Sequence, residues 1–493
     1  MPQVNLCKTL LTLTLLSYDA EIVAWGGKDD DAALRGGGSH NAKITSVLDF
    51  VNDETRRKRP GFEDELVLMV DGYDVWFQLP PQVLVARYHA VLQDEKKRVR
   101  QRMGEKAYED SQVNPAVVFG AGKRCGPNEL HTLACYAVPE SPLPETLRGA
   151  NTDSMLGRNF LSNGRQRFLV SGYMIGTVSA VRKVLERAKT KLDECVSRVG
   201  AEFDNGSGDS DFCYRGSDQS IFVEMFGEQE AKRELERRKS RSIWDHTLDT
   251  FIPNRPGSKP PPTKIMSEPI TDRLSPPFPH QRFDPSTVQG SELGIVLDYW
   301  SLLGFQTSNA EFDTRFLRHA EPLAPQAGPI GLFDCPAHTP PPDDLPPESP
   351  ILHLLAEEET DKSKPAPSWN TLPLYTDLCT GAVPVMIHHN SVDKSWRERS
   401  WDQTWWHLRS RALLDRRRRD GAQMSFQVEK DKVMTWEELC PRDVEKELFR
   451  DVDDPPPPPP PPAPPSPPAP PPSPPAPPSS PPAPPADPAK SAA

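Results

Sequence analysis

The sequence lacks any apolar run long enough to cross a bilayer as a helix. Spanning takes ~20 consecutive apolar residues; the nearest candidate, residues 8–16, opens with a lysine and is interrupted by Thr9, Thr12 and Thr14. No small-residue cleavage site follows it, so the stretch is expected to be a first amphipathic helix leading into a strand over residues 21–25. Positive charge is short as well: 58 Lys and Arg against 70 Asp and Glu leave a net charge of −12. Binding nucleic acid needs a clustered surplus of cations to displace counterions, so DNA and RNA are discounted as partners. Among the eight cysteines there is no C-x-x-C pair, which argues against a zinc ribbon. Their even number leaves lumenal disulfides and ordinary buried thiols as open alternatives.

Proline, by contrast, is abundant, with 58 in 493 residues, so the packed part of the chain is smaller than its length. Residues 6–230 alternate apolar runs with helical periodicity, the pattern of strands joined by crossover helices. Residues 66–70 are continuously apolar, which predicts a strand buried on both faces of a parallel sheet. Further strands are predicted at 116–119 and 168–176, with a helix over 83–102. Val181, Val184, Leu185, Ala188, Leu192 and Val196 recur at helical spacing, with Arg182, Lys183, Arg187, Lys189 and Lys191 on a solvated face.

These readings give an α/β domain in pieces. Its first part spans 1–252, a Pro-rich insertion 253–290, its continuation 291–320, a Pro-rich linker 321–370 and its final strand 371–395. A Trp/Arg-rich helical extension is expected over 396–453, with its tryptophans packed on the core, and a disordered polyproline tail over 454–493. The tail favours polyproline II and suits an SH3- or WW-type module, although a plain solvated tail is the default reading.

Chemistry is most visible at Asp71-Gly72-Tyr73-Asp74, where two carboxylates leave the carboxyl end of the strand at 66–70. Crevices at such strand ends hold the ligands of open α/β sheets. Carboxylate oxygens are hard ligands suited to Mn²⁺ or Mg²⁺, and such an ion neutralises a departing diphosphate. An Asp-Gly turn with a local hydrogen bond explains the same residues without a metal. The Asp-x-Asp pattern of phosphatases with an aspartyl nucleophile does not fit, because Tyr73 stands where the second acid belongs.

Val70-Asp71-Gly72-Tyr73-Asp74-Val75 resembles the Val-Asp-Ser-Tyr-Asp-Val of the glycosyltransferase domain of collagen lysyl hydroxylases and procollagen glycosyltransferases. The resemblance continues in order through Val118-Phe119-Gly120-Ala121, Cys125-Gly126-Pro127, Val170-Ser171-Gly172-Tyr173-Met174-Ile175-Gly176 and Ser217-Asp218-Gln219. It closes with Leu297-Asp298, Phe305-Gln306 and Val383-Pro384-Val385-Met386-Ile387-His388-His389-Asn390, covering residues 6–395. It departs from the family at Gly126, Val170, Ser217 and His389, which stand for Trp, Asn, an acid and Gly. Residues 21–27 resemble the second strand of the fold, so the match begins after the first.

The resemblance implies a GT-A-like domain with a mixed, mostly parallel central sheet flanked by helices. It implies a Mn²⁺-dependent enzyme (Mg²⁺ as the alternative) that moves galactose or glucose from a UDP-sugar to a protein or glycan hydroxyl in the endoplasmic reticulum or Golgi. Carried over by residue, Asp71, Asp74 and His388 hold the metal. Tyr73, Asp71, Asn390, Ser171 and Gly172 contact the nucleotide-sugar, with Asn390 at the diphosphate, and Asp218 faces the acceptor hydroxyl as the catalytic carboxylate, with Asp209 and Asp211 in reserve. The competing readings are a catalytically degenerate transferase fold kept as a proline-rich interaction scaffold, and a nucleotidyltransferase with the same metal logic. No iron-binding His-x-Asp pattern follows residue 395, so hydroxylation is not supported.

Overall fold

The computed structural model describes residues 3–23, 38–154, 161–203, 217–252, 255–259, 263–265, 268–275, 283–288, 290–327, 335, 342–359, 363, 365–422, 424–429 and 432–449. The chain divides into a unit of Met1–Val452 and a second of Asp453–Ala493. The second unit, with the polyproline tail, lies outside the described residues, as do Asp209 and Asp211.

The chain opens with helix α1 (Gln3–Leu15) and continues with α2 (Gly38–Asn52), β1 (Leu66–Val70), β2 (Val75–Phe77) and α3 (Pro81–Met103). Pro81 occupies the first turn of α3, where its missing N–H costs nothing, and Gly104 at φ +83° ends the helix. Next come β3 (Val117–Gly122), β4 (Phe168–Thr177), α4 (Val178–Phe203), α5 (Asp218–Lys239) and α6 (Ile243–Phe251). The remaining elements used below are β5 (Ile295–Asp298), β6 (Gly304–Gln306), β7 (Met386–His388), α7 (Ser395–Trp401) and α8 (Ser410–Arg419).

One sheet has the order β1-β4-β3-β5 and a second the order β2-β7-β6. The β3/β5 and β6/β7 pairs are parallel, while β1/β4, β3/β4 and β2/β7 are antiparallel. The architecture is therefore mixed α/β with parallel strands in both sheets, but not mostly parallel: β4 runs against both of its neighbours. The strand period of two then divides the core. Val118, Tyr173, Ile175 and Val296 pack with α1, β2, α3 and the C-terminal tryptophans; Val117, Phe119, Met174, Ile295 and Leu297 pack with α2, α4 and α5.

Four expectations need correction. β1 is only half-buried, because it has one strand neighbour among the described residues and so stands at the edge of the sheet; that neighbour is antiparallel, not parallel as expected. On its other flank lies a cavity of about 490 Å³ shared with α1 and residues 18–23. Helix α1 is buried all round rather than amphipathic, with Leu6, Cys7, Lys8, Leu11, Thr12 and Leu15 all enclosed. It can be so because Thr12 Oγ1 accepts the Phe77 N–H at 3.1 Å and Lys8 Nζ pairs with Glu398 at 2.7 Å, leaving neither polar group stranded. Residues 21–23 form no strand, although the Ile22 N–H donates to Gln427 O at 2.8 Å; residues 24–27 lie outside the described residues. Lys191, placed by its spacing on the solvated face of α4, is buried between Glu224 at 2.6 Å and Glu228 at 2.7 Å.

The C-terminal segment is part of this body. Trp401, Trp405 and Trp406 are buried as expected, and a hairpin, Ser425–Glu429 with Lys432–Thr435, accompanies the helices. A Cys7–Cys440 disulfide ties α1 to it. Cys125–Cys135 and Cys335–Cys379 are also joined, Cys195 is disulfide-bonded, and no cysteine among the described residues is free. Of the two alternatives left open by the cysteine count, the disulfides hold.

Candidate metal centre

The turn after β1 is fixed from both sides. Asp71 N–H donates to Gly172 O on β4 at 2.9 Å, and Asp74 O accepts the His389 N–H at 2.7 Å. The register of the second sheet then sets the site: Val75, next to Asp74, pairs with His388 on β7, and His388 pairs in turn with Gln306 on β6. Asp74, His388 and Gln306 are thereby held side by side on backbone hydrogen bonds.

His388 Nε2 lies 3.4 Å from Asp74 Oδ1 and 3.6 Å from Asp71 Oδ2, and one ligand atom from each of the three residues falls within 4.8 Å of the others. Ligand atoms ~2–2.2 Å from a common divalent ion are spaced in this way. Two further observations fit an ion. Asp74 Oδ1 is buried with no hydrogen-bond partner. The imidazole Nδ1 meets Gln306 Oε1 at 2.5 Å, and an amide oxygen only accepts, so Nδ1 carries the proton and Nε2 is turned to the acids.

Glycines make the room. A Cβ on Gly172 would stand 2.0 Å from His388 Cε1, and one on Gly120 would stand 2.3 Å from Gln306 Nε2. The imidazole and its supporting amide fill the space that side chains at those two positions would need.

Burial raises the Asp71 carboxyl above its ordinary range, against the opposing pull of Lys43 and His388. Asp74 is also penalised by burial, but His388 more than offsets this and holds it low. Burial depresses His388, and the two aspartates outweigh it, so the imidazole sits above its ordinary value. His389, stacked on Trp76 at 4.0 Å, is driven well below its ordinary value by burial and stays neutral.

Among the remaining residues singled out from the sequence, Asp218 opens α5 after Ser217, is buried, and reaches Asp71 through a shared cation: Lys43 Nζ lies 2.9 Å from Asp218 Oδ2 and 2.6 Å from Asp71 Oδ1. Ser171 is buried beside Gly172 on β4. Tyr73 is 46% exposed at the edge of the site. Asn390 is engaged within the protein: its Oδ1 accepts Ser308 N–H at 2.9 Å and its Nδ2 donates to Gln306 Oε1 at 3.2 Å, so one amide hydrogen is left for a ligand. Sequence reasoning missed Lys43 altogether and gave Gln306 no role. Lys43 sits in a helix whose sequence carries no motif; the parallel β6/β7 register is what reveals Gln306.

No family model matches the chain, and no curated protein matches its sequence.

Proposed function

We propose that the chain is a metal-dependent glycosyltransferase that moves a hexose from a UDP-sugar to a protein or glycan hydroxyl, on a GT-A-like domain. The observation that carries this reading is the convergence of Asp71, Asp74 and His388, the set that the resemblance implies, into one ligand cluster from opposite ends of the domain. The place of that cluster, at the carboxyl end of β1 in a mixed sheet, supports the GT-A-like reading of the fold.

Asp71, Asp74 and His388 would hold Mn²⁺ or Mg²⁺. When bound, the ion supplies charge neutralisation for the leaving diphosphate. Lys43 holds Asp218 and Asp71 in fixed relation, so the carboxylate assigned to the acceptor side is oriented before substrate arrives. Asp218, buried beside that ammonium, accepts the acceptor's proton or stabilises positive charge developing at the anomeric carbon. The exposed Tyr73 ring offers a face for the nucleotide, and the free Asn390 amide hydrogen suits a diphosphate oxygen. The disulfides favour an oxidising compartment such as the secretory lumen.

One observation favours the degenerate scaffold as a second reading: Lys43 already neutralises a metal ligand at 2.6 Å. Calorimetric titration of UDP with and without Mn²⁺ separates the two. On the transferase reading UDP binds only with Mn²⁺, Asp71→Ala and Asp74→Ala each abolish binding, and the loaded protein hydrolyses a UDP-hexose slowly. UDP binding that ignores both the metal and the acids, or no binding at all, would leave the scaffold reading.

A further inference from the structure

Helix α6 is held by one face only. Ser242 and Asp245 cap it reciprocally, with Ser242 Oγ accepting the Asp245 N–H at 3.2 Å and the Asp245 carboxylate accepting the Ser242 N–H at 2.8 Å. Asp245 also takes Arg255 at 2.8 Å, and Asp249 takes Arg241, so the polar side of the helix is tied down by ion pairs. Its other side has no partner among the described residues. Ile243 is 84% exposed, Trp244 77%, Phe251 77%, and Leu248 and the following Ile252 are exposed as well, while no residue of the helix is buried. At ~100° per residue these five positions fall on one half of the helix. A soluble protein rarely leaves so continuous an apolar stripe uncovered.

The surroundings indicate what covers it. Residues 232–273 carry ten Lys and Arg against six Asp and Glu, a positive stretch in a chain of net charge −12. Behind α6 lies a cavity of about 350 Å³ in which Arg237, Arg238, Arg241, Lys259 and Arg273 face Glu234, Asp249 and Asp272. Arg237, Arg238 and Arg241 have carboxylate partners. The Arg273 guanidinium makes no hydrogen bond or ion pair with the described residues. Burial, reinforced by the neighbouring Arg102, brings it down to about 10 against the opposing pull of Glu234 and Glu230. A guanidinium fork of this kind matches a phosphate. An outward ridge of Trp, Phe and Ile beside cations suits a lipid boundary, which accepts a helix lying flat without needing a complementary groove.

We propose that α6 and the basic cavity behind it form a peripheral docking site for an anionic membrane: Ile243, Trp244, Leu248 and Phe251 enter the headgroup–acyl boundary, and Arg273 takes a lipid phosphate. This is surface attachment. No helix among the described residues is long and apolar enough to span.

Flotation of the full chain with phosphatidylcholine vesicles, with and without phosphatidylserine, tests this. The protein is expected to float with the anionic vesicles and to be released by salt. Trp244→Glu with Phe251→Glu is expected to lower partitioning roughly tenfold or more, Arg273→Gln severalfold, and Trp244→Phe to retain it. The substituted α6 positions are exposed, so an unchanged thermal melt confirms that the fold is intact; quenching of Trp244 fluorescence by brominated lipid in the Trp244-containing protein, absent from Trp244→Phe, reads insertion directly. Three results would each overturn the proposal: equal behaviour with both vesicle types, wild-type partitioning by the double variant, or a dimer in sedimentation equilibrium that the double variant dissolves, which assigns the face to a second copy. Inorganic phosphate binding at Arg273 without vesicle binding would reduce the cavity to a free-anion site.

Discussion

Gly172 and Gly120 show how much of the centre depends on atoms that are missing. The His388 ring occupies the place of a Gly172 side chain, so Gly172→Ala must push the imidazole away from Asp71 and Asp74 while leaving every ligand present. Mn²⁺ affinity is expected to fall roughly tenfold to a hundredfold, as for loss of a supporting group around a metal, with the circular dichroism spectrum retained; calorimetry checks this. The two adjacent histidines should also give opposite pH signatures in the metal-free protein. His389 is held below its ordinary value, so as pH falls below ~6.5 the unfolded chain gains a proton that the folded chain refuses. Stability then declines by about 1.4 kcal/mol per pH unit, and His389→Gln removes that slope from urea titrations. His388 is raised, so its contribution is full below ~6.5 and is lost as pH climbs through its folded-state value, on the alkaline side.

At the scale of the element, what the sequence made legible followed from local pattern. The strand over 66–70 and the acids after it, a helix expected over 83–102, a strand expected over 168–176 and the burial of Trp401, Trp405 and Trp406 were all legible and are found as Leu66–Val70, Pro81–Met103, Phe168–Thr177 and three enclosed indoles. What escaped is decided by neighbours. The half-exposure of β1 follows from its place at the edge of the described sheet, and the enclosure of α1 from a C-terminal segment more than 380 residues away in sequence. Lys43 was invisible for the same reason, since α2 acquires its role only by lying against Asp71 and Asp218. The α1 clasp is testable on its own. Cys7–Cys440 closes a loop with a sequence separation of 433 residues. Cys7→Ser with Cys440→Ser is expected to cost about 2–5 kcal/mol by denaturant titration, because a cross-link over so long a loop restricts the unfolded chain strongly.

Among the described residues, the acid–histidine centre at the strand ends and the apolar face of α6 beside Arg273 are separate regions. The variants at one are expected to leave the other untouched. Asp74→Ala should float with anionic vesicles like the wild type, and Trp244→Glu with Phe251→Glu should bind Mn²⁺ and UDP like the wild type; paired flotation and calorimetry on the same preparations check this independence.

Asp74 and His388 are 314 positions apart, and Gln306, which aims the imidazole, lies between them. During synthesis this has a temporal meaning. A nascent chain displays the paired acids early, yet it has no coordinating site until β6 and β7 have emerged and zipped onto β2. Chains released early, or nicked anywhere that frees β7, would carry the acidic motif without any hold on a divalent ion. On the metal-dependent reading proposed above, ion occupancy would report completed folding.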